Sequence, residues 1–104
     1  MRDQGAEADR LEEMQINAVD AASFLKALSH SGRLLIMCHL ASGEKSVNEL
    51  ESLIGIRQAA VSQQLARLRH EGMVSSRRQG KLIFYSLADE RVRKLVGVVN
   101  QIFV

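Results

Sequence analysis

Residues 57–87 read RQAAVSQQLARLRHEGMVSSRRQGKLIFYSL, and this stretch decides the fold class. Val61, Leu65 and Leu68 recur at spacings of four and three, which predicts one buried stripe on a helix over 58–70. Gly72 stops that helix. Residues 73–78 and 82–87 then read as two strands, with Gln79-Gly80-Lys81 as the turn and Gly80 free to take positive φ. The stretch 57–81 holds six Arg or Lys against one acid, Glu71, a net of +5. Residues 1–30, by contrast, carry six acids and three bases. A helix that opens on small polar residues and runs into a basic β-turn suits a surface that docks on a phosphate backbone.

Working outward, residues 47–54 form a short helix with Ser46 as N-cap, Glu49 three positions on as in a capping box, and Gly55 as the C′ residue. Only a few residues around Gly55-Ile56-Arg57 separate it from the next helix, which is the signature of a helix-turn-helix. Residues 33–41, RLLIMCHLA, read as a buried helix between the break at Ser29-His30-Ser31-Gly32 and the polar turn Ser42-Gly43-Glu44-Lys45. A first helix begins near Ala8, where Met14, Ala18, Ala21, Leu25 and Leu28 make a heptad-like stripe; residues 1–8 read as a disordered tail. Ala88 or Asp89 opens a last helix with Val92, Leu95, Val96, Val99, Ile102 and Phe103 on one face. The predicted order is α-α-α-α-β-β-α, a mostly α fold with a small β-hairpin (α+β). It forms one winged helix-turn-helix domain over 9–104, and the 104-residue length and lack of Pro and Trp agree with this.

This order carries a functional expectation. A major groove about 12 Å wide admits one helix, and the second helix of the pair enters with its N-terminal residues toward base edges. Gln58, Ser62 and Gln63 suit that task, with Arg67 on the same outward side though less central. Arg77, Arg78 and Lys81 flank the hairpin tip, where cations reach phosphates or the minor groove and position the protein. Each of these residues alone is also an ordinary surface polar group, and arginines on a ribbon also serve as edge protection. The terminal helices carry more apolar stripe than the small central helices can cover. The economical explanation is a homodimer pairing those helices across a two-fold axis, on an inverted-repeat operator in double-stranded DNA.

Other classes find little support. No apolar run approaches the ~20 residues of a membrane span, and the acidic start MRDQGAEADRLEE is unlike a signal peptide, so a cytoplasmic protein without membrane contact is expected. A single cysteine, Cys38, excludes a disulfide within the chain. His30, His39 and His70 lack zinc-ligand spacing, so no metal is expected. There is no nucleophile–base constellation and no phosphate loop, so neither an enzyme nor a cofactor is expected.

The motifs LKALSH-x-x-RLLI, S-V-x-EL, A-x-VSQQLA-x-LR-x-xG-x-V and R-x-G-x-x-x-x-Y-x-L together resemble the ArsR/SmtB family of dimeric winged-helix repressors, over nearly the whole chain. Within it the chain is most similar to the BigR/SqrR/HlyU-type subgroup of thiol-based sensors. The resemblance implies a repressor released when sulfide, persulfide or an oxidant modifies Cys38, the subgroup's cysteine in LLIMCHL. The subgroup's second cysteine falls in the stretch Ile102-Phe103-Val104, where this chain has Val104. Three readings of that departure stay open: a substituted form, sensing by one thiol, or a Cys38 that only packs. The metal positions of the wider family fall on Ser46 and Asn48, which are not thiols, and on Asp89 with Arg91 in place of a ligand. Arg57 stands where the family commonly has a Ser N-cap, and Ser31 replaces a common Pro. Two alternatives stand beside the thiol-sensing repressor: a constitutive DNA-binding repressor, and a winged-helix module that binds protein.

Overall fold

A computed structural model describes residues 4–55 and 58–104, with the side chains of all but Gln4, Gln58 and Ala59. The elements are α1 (Gln4–Leu28), α2 (Ser31–Ala41), β1 (Lys45–Ser46), α3 (Val47–Ile54), α4 (Gln58–His70), β2 (Val74–Gln79), β3 (Leu82–Leu87) and α5 (Glu90–Phe103). The winged helix-turn-helix order is the expected one with one strand added. β1 pairs antiparallel with β3, placing Lys45 opposite Tyr85 and Ser46 opposite Phe84, so the hairpin becomes a three-stranded sheet in the order β1-β3-β2. The expected polar turn at 42–45 therefore ends one residue early, because Lys45 has a strand partner.

Three other expectations shift. Helix α1 starts at Gln4 rather than near Ala8, so the expected tail of 1–8 is helical from Gln4 on, and residues 1–3 lie outside the described residues. Helix α2 starts at Ser31 rather than Arg33, because His30 is its N-cap and its Nδ1 accepts from the Gly32 N–H at 3.1 Å. The hairpin turn narrows to Gly80-Lys81, with Gly80 at φ +63°. Around α3 the expected capping holds. Ser46 Oγ accepts from the Glu49 N–H at 3.2 Å, the Ser46 N–H donates to Glu49 Oε1 at 3.1 Å, and Gly55 ends the helix at φ +79°.

The core gathers Ile36, Met37 and Leu40 of α2, Leu50 of α3, Val61, Leu65 and Leu68 of α4, and Val92 and Val96 of α5, all essentially inaccessible. Met73 and Val74 close it from the sheet side, and Ala27 and Leu28 from the end of α1. Two arginines lock helix ends onto this core. Arg33 is buried; its Nε donates to the Ala27 carbonyl at 2.7 Å and its Nη1 to Gln64 Oε1 on α4 at 3.2 Å. Arg93 on α5 donates from Nη1 to the Ala41 carbonyl at 2.5 Å. Each guanidinium meets carbonyls near a helix C-terminus, where partial negative charge collects.

Helix α1 has 25 residues, so it is about 37 Å long. Only its last two turns dock, through Phe24, Ala27 and Leu28. Of the predicted α1 stripe, Leu28 is buried, while Met14 is 56% and Leu25 53% exposed. Leu11 extends that stripe outward by three residues. The α5 stripe likewise runs from buried Val92 and Val96 to exposed Ile102 and Phe103. The two free faces meet at an apolar cleft of about 250 Å³ between Leu25, Leu28, Leu34, Leu95, Val99 and Phe103. Among the described residues no helix is long and apolar enough to cross a membrane.

Candidate nucleic-acid interface

Helix α4 buries Val61, Leu65 and Leu68 against the core, so its remaining faces are fixed by the helical repeat. Gln63, Ala66 and His70 are exposed on the side away from the core, with Ser62 and Arg69 on one flank. Ser62 opens onto a cleft of about 240 Å³ lined also by Ser46 and Asn48 at the start of α3 and by Lys81, Ile83 and Tyr85 of the hairpin. Two of the expected site residues, Ser62 and Lys81, are thus brought to one cleft although nineteen positions separate them. Gln63 is exposed beside it. Among the described residues Ser62 and Gln63 have no hydrogen-bond partner, which leaves their donors and acceptors available. The side chain of Gln58 lies outside the described residues, as does Arg57.

The expected cations separate into two groups. Arg78 and Lys81 are exposed, and among the described residues no ion pair reaches either. Arg77 and Arg67 are already engaged. Arg77 makes a bidentate pair with Glu44, Nε to Oε2 at 2.8 Å and Nη2 to Oε1 at 2.6 Å, and its Nη1 donates to Gln79 Oε1 at 2.8 Å. Those hydrogen bonds hold the Glu44 carboxyl below the usual carboxylate range, so the pair stays charged at neutral pH. Arg67 pairs with Glu71 at 3.5 Å one turn on. It lines a different cleft, of about 600 Å³, with Asp20, Phe24, Met73 and Arg91 on the α1 side. The helical repeat put Arg67 outward; the structure shows which flank, and that flank is away from Ser62.

Three residues of this surface escaped the sequence reading. Asn48 sits at the mouth of the Ser62 cleft, and Arg69 is an exposed cation on Ser62's flank of α4. Arg69 was visible only as part of the +5 charge. Glu44 carried no local signal, because its partner lies 33 residues away.

Cys38 is half-buried on α2, against the core cluster. Burial pushes its thiol above its ordinary pKa, which makes thiolate scarcer at neutral pH. Val104 is fully exposed at the end of the chain. Among the described residues no group of three or more His, Cys, Asp or Glu is placed to hold a metal ion.

Residues 30–76, spanning α2 to the start of β2, match the family model described as bacterial regulatory protein, arsR family. The transcriptional repressor BigR from Xylella fastidiosa is 46% identical, with a TM-score of 0.86 over 89% of this chain and 95% of its own. The chain belongs to the arsR family. Within the family it sides with the BigR/HlyU-type proteins. The transcriptional activator HlyU of Vibrio cholerae is 37% identical over 93 residues, 89% of this chain and 86% of that protein. More distantly, a homodimeric winged helix-turn-helix DNA-binding domain from Mycobacterium bovis superposes with a TM-score of 0.73 at 31% identity, over 86% of this chain and 83% of its own. This arsR-family chain is therefore a winged helix-turn-helix transcriptional regulator, and its α4 and hairpin occupy the recognition-helix and wing positions of the fold.

Proposed function

We propose that the chain acts as a homodimer that binds an inverted-repeat operator in double-stranded DNA and represses transcription there. The observation that carries this is the cleft joining Ser62 of α4 to Lys81 of the wing, with Gln63, Arg69 and Arg78 exposed around it. Unpartnered amide and hydroxyl groups that can read base edges stand beside unpaired cations that can hold phosphates. The homodimer draws support from the exposed Leu11, Met14 and Leu25 of α1 and Ile102 and Phe103 of α5, and from the homodimeric relative. Two copies of α4 related by a two-fold axis would meet half-sites about one helical turn apart. The relatives' names include both a repressor and an activator. The sign of the effect follows from where the operator lies on the promoter, and binding is the step common to both.

The test is a gel shift with duplexes from the promoter of its own gene, comparing intact inverted repeats with scrambled ones. Ser62→Ala and Gln63→Ala are expected to lose about 1–3 kcal/mol of discrimination between the two duplexes while keeping binding to scrambled DNA. Equal loss on both duplexes contradicts a base-reading role.

Control through Cys38 belongs to the same reading. Cys38 packs at the edge of the core, so an added sulfur or oxygen overfills that site and shifts α2. Such a shift reaches α4 directly, because Arg33 on α2 holds Gln64 on α4. With one cysteine in these 104 residues, the modification ends as a persulfide or sulfenic acid rather than an intrachain disulfide. Operator titration before and after persulfide or peroxide treatment, repeated with Cys38→Ser, decides it. Unchanged affinity of the treated wild type leaves the constitutive repressor.

A further inference from the structure

We infer that Arg77 is a positioning residue for the wing rather than one of its phosphate contacts, and that Glu44 is its functional partner. This rests on the DNA-binding reading above and sharpens it. Arg77 on β2 stands opposite Phe84 on β3, and Phe84 stands opposite Ser46 on β1. The Arg77 guanidinium lies over the Phe84 ring, 4.8 Å from its centroid, and continues to the Glu44 carboxylate just before β1. One side chain therefore clasps the full width of the three-stranded sheet. Its Nε and both terminal nitrogens are engaged, two on Glu44 and one on Gln79.

The clasp matters because the rest of that seam is slight. β1 has two residues, so few ladder bonds tie the wing to the segment that leads into α3. Ser46, the second of them, is also the N-cap of α3. Glu44–Arg77 thus joins the wing to the start of the helix-turn-helix, fixing the angle at which wing and α4 meet one duplex. Successive strand residues face opposite ways, so the neighbouring Arg78 points from the other face and stays free for phosphate. A phosphate contact by Arg77 would have to break a charge-assisted bidentate pair that is already made.

The inference makes a counter-intuitive prediction about an acid. Removing a carboxylate from a DNA-facing module ordinarily strengthens binding by relieving repulsion. With the clasp, Glu44→Gln weakens operator binding about two- to five-fold, the range expected for one exposed bidentate pair. Arg77→Ala weakens it by a similar factor, the double variant is no worse than either single one, and the swap Glu44→Arg with Arg77→Glu recovers part of the loss. Neither single variant lowers the dependence of binding on salt, whereas Arg78→Ala lowers its slope by about 0.9. Fluorescence anisotropy on a labelled operator over a salt series reads all of these, with a thermal melt of each variant to confirm folding. Tighter binding by Glu44→Gln, or a flattened slope in Arg77→Ala equal to that of Arg78→Ala, overturns the inference. Failure of the wild type to bind with a steep salt slope would instead overturn the DNA-binding reading itself.

Discussion

At the scale of single residues, the chain repeatedly uses arginine as a fastener. Arg33 is the clearest case: buried, without an ion pair among the described residues, and satisfied by one backbone carbonyl and one amide oxygen. It was hidden in RLLIMCHLA, where the apolar neighbours dominate and nothing in the spacing shows that a guanidinium is enclosed. Arg33→Ala removes the packing of the side-chain stem and leaves the Ala27 carbonyl and Gln64 Oε1 without their donor. The expected cost is about 2–3 kcal/mol, read by urea unfolding; a change below about 0.5 kcal/mol would contradict a structural role. Ser46→Ala removes the N-cap of α3 at a nearly buried position and is expected to cost about 1 kcal/mol by the same measurement. Cys38 gives a chemical prediction. Because burial raises its pKa, its reaction with a thiol-directed alkylating agent at pH 7 should be slower than that of an unstructured cysteine peptide, and should accelerate at alkaline pH as thiolate forms.

At the scale of elements, legibility followed periodicity. Helix α4 and its buried stripe Val61, Leu65 and Leu68 were readable because three apolar residues at helical spacing leave one solution. The capping box at Ser46 and Glu49 was readable because both halves are local in sequence. Strand β1 was not, since two residues carry no alternation and its partners Tyr85 and Phe84 are some forty positions away. The same distance hid the engagement of Arg77, so three equivalent wing cations in the sequence became two free ones and one fastener. Element ends also set an acid dependence. Asp89 caps α5, and its carboxyl is held below the usual range, first by hydrogen bonds from the Arg91 guanidinium and then by the Arg91 N–H. Glu44 is lowered by Arg77 in the same way. A carboxylate with a depressed folded pKa contributes stability that is fully present above its unfolded pKa and is lost as pH falls through the folded one. Thermal stability should therefore hold from neutral pH down to about pH 5 and decline below the usual carboxylate range near ~4. Asp89→Asn and Glu44→Gln should each show a shallower decline than the wild type; declines identical to the wild type would detach both pairs from stability.

At the scale of the whole molecule, a small core carries two long, under-covered helices. Leu25 and Phe103 are exposed in the protomer and line the apolar cleft between α1 and α5, so changing them leaves the core intact. If that cleft is the seam of the homodimer, Phe103→Glu removes one buried aromatic from each copy. Dimer dissociation should rise about a hundredfold, from ~3 kcal/mol for two Phe side chains. Sedimentation checks this, and an unchanged dimer would move the seam elsewhere. The dimer and the wing meet in operator binding, where charge separates true phosphate contacts from fasteners. The most direct measurement is the slope of log binding constant against log salt concentration on an inverted-repeat duplex, for the wild type, Arg78→Ala and Lys81→Ala. A steep wild-type slope is predicted, with each variant flattening it by about 0.9 for every phosphate it no longer neutralises. A salt-independent wild type, or variants with its full slope, would contradict the assignment of α4 and the wing as the DNA-binding surface.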